Sequence, residues 1–72
     1  NEHVNNARYL DITDEFVENE SAVKRIRVEY KNPLKRGKVI KALVYTDEGR
    51  KFVELCDENN KPYCITEYDY RS

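Results

Sequence analysis

The spacing of the apolar residues changes once along the chain, and that change limits the fold more than any other feature. Tyr9, Ile12, Phe16 and Val17 recur at helical intervals with Leu10 beside the stripe, while Asp11, Asp14, Glu15 and Glu18 take the other side. From Ala22 the period becomes two. Ile26, Val28 and Tyr30 alternate with Arg25, Arg27 and Glu29, as in a half-buried strand. One helix over about 6–17 followed only by strands is the expectation, which makes the class α+β.

Punctuation in the rest of the chain divides it into four strands. Asn32-Pro33 ends the first, because proline lacks a ladder donor and restricts its predecessor, and residues 34–37 make a basic turn. A second strand over 38–46 is apolar on both faces at its centre, which predicts an interior position. Asp47-Glu48-Gly49 supplies a tight hairpin with glycine at the positive-φ position. Residues 51–56 and 63–70 form the last two strands around a turn at 58–61, completing an antiparallel meander packed against the helix. The register of that turn decides what the cysteines can do. A two-residue loop at Asn59-Asn60 sets Cys56 opposite Tyr63 with the sulfurs on opposite faces, whereas a three-residue loop sets Cys56 across from Cys64.

The 72-residue length allows one domain at most, with a small core. Apolar residues at 39% against 38% charged leave that core in want of a partner surface or of further chain, and a start at Asn1 rather than Met suggests a segment of something longer. The net charge of −1 argues against general nucleic-acid binding, and the six tyrosines do not gather on a basic strand. The charge is nevertheless uneven. Residues 1–20 carry six acids and only Arg8 as a base; residues 24–41 carry eight bases and one acid, Glu29. Such a block attracts an acidic partner. No apolar run approaches the roughly 20 residues that span a bilayer, and no leader pattern opens the chain, so the expected location is the cytoplasm. Two cysteines and one histidine are too few for a zinc site, so the expectation is structural thiols with no metal and no cofactor.

The remaining feature is the polar opening, Asn1-Glu2-His3-Val4-Asn5-Asn6, which holds the sole histidine ahead of the helix. Taken alone, Asn5 or Asn6 is an ordinary N-cap. The string Asn1-x-His3-Val4-Asn5-Asn6-x-x-Tyr9-Leu10 resembles the Asn-x-His-Val-Asn-Asn-x-x-Tyr motif in the second hotdog domain of acyl-ACP thioesterases. Val28-Glu29-Tyr30-Lys31, followed by Gly37 and a strand, is similar to the segment after the helix in that family. The resemblance covers essentially the whole chain and implies a hotdog-like fold, with residues 1–72 as a single, incomplete hotdog domain.

What the resemblance implies about chemistry is specific. Asn1 and His3 match the family's catalytic asparagine and histidine, and Asn5 and Asn6 match the pair at the helix start, where backbone amides polarise a carbonyl. The family's aspartate two residues before the asparagine would precede Asn1. Its glutamate or cysteine soon after the Glu-Tyr strand is replaced by Asn32-Pro33-Leu34, and Glu29 alternates with core positions and so points outward. The implied activity is hydrolysis of a fatty acyl thioester on acyl carrier protein to free fatty acid, in fatty acid biosynthesis. Lys24, Arg25, Arg27, Lys35, Arg36 and Lys38 are the candidate docking surface for that acidic carrier. Two other readings stay open: a non-catalytic hotdog module that binds acyl groups or mediates pairing, and an acyl-CoA thioesterase. In each, the domain is expected to pair with another hotdog domain of the same chain or with a second copy, and the fragment by itself is expected to be inactive.

Overall fold

The computed structural model describes residues 6–33 and 40–71. Helix α1, Asn6–Asp14, is followed by a single 3-10 turn, Glu20–Ala22, and by strands β1 (Arg25–Tyr30), β2 (Lys41–Asp47), β3 (Arg50–Cys56) and β4 (Pro62–Asp69). The class is therefore α+β, with one short helix and a four-stranded antiparallel sheet.

Helix α1 stops three residues short of the expected Val17. The amides of Glu15, Phe16 and Val17 reach back to the carbonyls of Ile12, Thr13 and Asp14 at 3.3, 3.0 and 3.1 Å, so the last turn tightens to i→i−3 bonding. Asn19 then enters the left-handed region at φ 54 and turns the chain. This shift of phase re-aims the stripe. Ile12 and Val17 pack on the core, Phe16 is exposed, and Thr13, read as neutral in the pattern, is fully buried.

The sheet order is β1-β4-β3-β2. Strands β2, β3 and β4 form the expected meander, but β1 pairs with β4, not with β2. Strand β2 pairs with β3 alone among the described residues and so stands at an edge, which corrects its interior placement. The burial follows from that order. Helix α1 touches only β3 and β4, so the core is Val53, Leu55, Tyr63, Cys64 and Tyr68 from the two central strands. The flanking strands lie open. Ile26 and Tyr30 are 48% and 46% exposed, so β1 is not half-buried as its alternation suggested, and Val44 on β2 is 44% exposed.

Turn chemistry sets the register. Asp47 pairs with Arg50 across a two-residue loop in which Glu48 and Gly49 have φ of 44 and 80, the doubly positive turn that matches strand twist. Between β3 and β4, the Asp57 carboxylate accepts from the amides of Asn59 (2.8 Å) and Lys61 (2.9 Å), and Asn60 takes φ 66. Leu55 then faces Cys64, and a shift between Leu55 and Cys56 brings Cys56 opposite Pro62. The ladder up to Leu55 follows the register expected from the two-residue loop, and the shift at Cys56 replaces the Cys56–Tyr63 pair expected of it. Both thiols are free and buried.

Candidate functional site

Of the opening motif, Asn1, His3 and Asn5 lie outside the described residues, as do Lys35, Arg36 and Lys38 of the basic block and Leu34 after the first strand. Asn6 is the first residue of α1. The motif therefore runs directly into the helix, as an N-terminal amide site requires.

The two faces of the sheet differ in chemistry. Residues opposite one another share a face, so Val28, Thr66, Val53 and Val44 form one row, on the side of α1. The alternate rows, Arg27-Glu67-Phe52-Tyr45 and Glu29-Ile65-Glu54-Leu43, lie on the outer side. Glu29 thus stands away from the helix, and its carboxylate pairs with Lys31. A shallow cleft of about 310 Å³ lies on this outer side, lined by Arg27, Val28, Glu29, Phe52, Ile65 and Glu67. It mixes both charge signs and belongs to the wrong face for chemistry at the start of α1.

The basic block is partly neutralised by acids that only the fold brings near. Arg25 donates to Asp69 at 3.1 Å, and Arg27, exposed, has Glu67 across the ladder. Lys24 is exposed, with its amide donating to the Asp69 carbonyl at 2.7 Å. The candidate docking cations on the described chain are therefore Lys24 and Arg27, with Arg25 committed to the fold. Pro33 is exposed, and the neighbouring Asn32 fastens the end of β1 to β4 through Nδ2 to the Pro62 carbonyl at 2.7 Å. No carboxylate or thiol stands at 32 or 33.

A polar cluster beneath the helix escaped the sequence reading. Tyr68, 1% exposed, donates to Asp14 Oδ1 at 2.7 Å, and its hydroxyl lies 2.6 Å from Thr13 Oγ1. The available signal was small: a threonine between Ile12 and Asp14 where the stripe needed an apolar residue. Cys64 lies on the same face of β4 as Tyr68. Burial pushes its thiol up to about 11, against the opposing pull of the Thr66 hydroxyl and the Leu55 backbone. Burial also raises the Cys56 thiol, with Glu54 adding to it. Neither is a nucleophile at neutral pH. Among the described residues no group of three or more His, Cys, Asp or Glu side chains could hold a metal ion, and no helix is long and apolar enough to cross a membrane.

Compared with known families, residues 1–71 match the model described as acyl-ACP thioesterase C-terminal domain. No curated protein and no solved structure matches the chain.

Proposed function

Because the chain belongs to the acyl-ACP thioesterase C-terminal domain family, we propose that the intact protein hydrolyses the thioester between a fatty acyl chain and acyl carrier protein. The observation that carries this reading is the family match across 1–71, which includes the Asn1-x-His3-Val4-Asn5-Asn6 string, whose last residue is the first of α1.

In the reaction, water adds to the acyl carbon, the carbon–sulfur bond breaks, and the carrier leaves as a thiol. His3 takes the proton from water and returns it to the leaving sulfur. Asn1 orients the imidazole or the water. The free amides at the start of α1, around Asn5 and Asn6, stabilise the developing oxyanion. The fold is read as hotdog-like, with α1 and the helix-side face of the sheet as the acyl-side wall. Lys24 and Arg27, with Lys35, Arg36 and Lys38, meet the acidic carrier. The open flanks of the sheet support pairing with another hotdog domain of the same protein or with a second copy.

Pro33-Leu34 in place of a glutamate or cysteine favours a second reading, in which the domain binds acyl groups or mediates pairing without turnover. Assay of the intact protein on acyl-ACP separates the two. Hydrolysis abolished by His3→Ala is the expected result; turnover unchanged by that substitution would sink the catalytic role, and carrier binding without any turnover would favour the second reading. Equal rates on acyl-CoA would assign the broader carrier.

A further inference from the structure

Helix α1 breaks a rule that helices usually keep. It is nine residues long, with no acid in its first turn and no base in its last, and it closes on Asp14. A carboxylate at that end sits at the negative pole of the helix dipole. A helix of this length is also marginal without tertiary support.

The compensation comes from 54 residues away, where Tyr68 donates to Asp14 Oδ1 at 2.7 Å. Counting protons orders the cluster. The tyrosine has one hydroxyl proton and gives it to the carboxylate, so the 2.6 Å contact to Thr13 places the threonine proton on the Tyr68 oxygen. The Leu10 carbonyl at 3.3 Å is the longer alternative acceptor for Thr13. The result is a directed chain, Thr13 to Tyr68 to Asp14, with Thr13 fully buried and Tyr68 nearly so. Apolar contacts of Ile12 and Val17 tolerate small slides and rotations of the helix; a directed hydrogen-bond chain does not.

We propose that Tyr68 is a positioning residue for the thioester hydrolysis proposed above, clasping the last turn of α1 so that the first turn of that helix, at Asn6, keeps one position. The inference rests on that hydrolysis reading. The helix is a rod about 13 Å long, so a clasp at Thr13 and Asp14 fixes the rotation and axial position of the amides at its other end. Misplacement of a catalytic group by about 1 Å costs on the order of a hundredfold in rate. Local conflict compensated by a distant contact is the pattern expected where function, not helix stability, selects the arrangement.

The test is steady-state kinetics on acyl-ACP with the intact protein, at a temperature where circular dichroism shows each variant folded. Tyr68→Phe, which removes only the hydroxyl, is expected to lower kcat by about ten- to a hundredfold with KM little changed. Asp14→Asn keeps an acceptor and is expected to keep kcat, whereas Asp14→Ala is expected to lose it; this pair carries the test if Tyr68→Phe does not fold. A lowered Tm with kcat unchanged in both Tyr68→Phe and Asp14→Ala would overturn the positioning role. Wild-type protein without turnover would overturn the hydrolysis reading itself, and the two failures are thereby distinguishable.

Discussion

Asp69 stands opposite Arg25 across the β1–β4 ladder and accepts its guanidinium at 3.1 Å. Arg71 closes over the same carboxylate with its backbone amide at 3.0 Å, Nε at 2.9 Å and Nη2 at 2.9 Å. One buried acid thus joins the first strand after the helix, the last strand and the residues beyond it. Hydrogen bonds from Arg71, with its charge and a further hydrogen bond from Arg25, hold the Asp69 carboxyl well below the usual carboxylate range. A carboxyl depressed in the fold contributes stability above its unfolded pKa of about 3.9, and loses it as pH falls toward the folded value. Thermal melts between pH 7 and 2 should therefore show a steep acid limb that Asp69→Asn flattens. An equally steep limb in the variant would place the acid sensitivity elsewhere.

Leu55 is fully buried at the centre of the sheet and Val44 is 44% exposed at its edge. Leu55→Ala removes packed methyl groups and is expected to cost about 2–5 kcal/mol, enough to unfold a small domain. Val44→Ala should change stability by no more than about 0.5 kcal/mol. Urea melts of both variants measure the difference. Equal losses would restore the interior position that its apolar run first suggested for β2.

That contrast shows what local pattern can and cannot carry. Strand β2 reads as interior because Val39, Ile40, Leu43, Val44 and Tyr45 are apolar on both faces, yet the central strands prove to be β3 and β4, which read as ordinary amphipathic segments. Their charges find partners across the sheet, Arg50 in Asp47 and Asp69 in Arg25, and Asp69 is also held by Arg71 two residues on. Such pairing is invisible until strand order is known. Turn residues, by contrast, act locally. Glu48-Gly49 was legible as a hairpin, and the Asn59-Asn60 turn limited the cysteines to two registers, between which the ladder decides. The family was legible in the opening motif through its resemblance, and the family match over residues 1–71 bears that out. The Thr13–Tyr68–Asp14 cluster was not, because its members lie more than 50 residues apart and none is unusual alone.

Cys64 gives an alkaline counterpart to Asp69. Its thiol is pushed up to about 11 by burial, above an unfolded value of about 8.5. A raised folded pKa means that the stability it contributes is intact below about pH 8.5 and declines as pH rises from there to about 11. Melts between pH 7 and 11 should show that decline, reduced in Cys64→Ala relative to the variant's own value at pH 7. Thiol-reactive dye should label Cys64 at neutral pH only at the rate of unfolding; immediate labelling of native protein would show the site open.

Pro33 offers the sharpest test of the missing third group. It lies in the Asn32-Pro33-Leu34 stretch where the family resemblance expects a glutamate or cysteine, it is exposed, and it follows an Asn32 that is hydrogen-bonded to the Pro62 and Tyr63 carbonyls. Pro33→Glu therefore disturbs little packing, and its stability cost is confined to the added freedom of the unfolded chain, about 0.4–1 kcal/mol. On the hydrolysis reading, a carboxylate supplied at residue 33 should assist proton transfer from water. Acid–base assistance of this kind is typically worth on the order of a hundredfold or more, so even an imperfectly placed glutamate should raise kcat at least about tenfold on acyl-ACP in the intact protein. The same substitution in a His3→Ala background should give no rise, because the added carboxylate acts through the imidazole. A rise in both backgrounds would make residue 33 an independent base. No rise in either, with Tm unaltered, would show that residue 33 is not where this protein carries its third group.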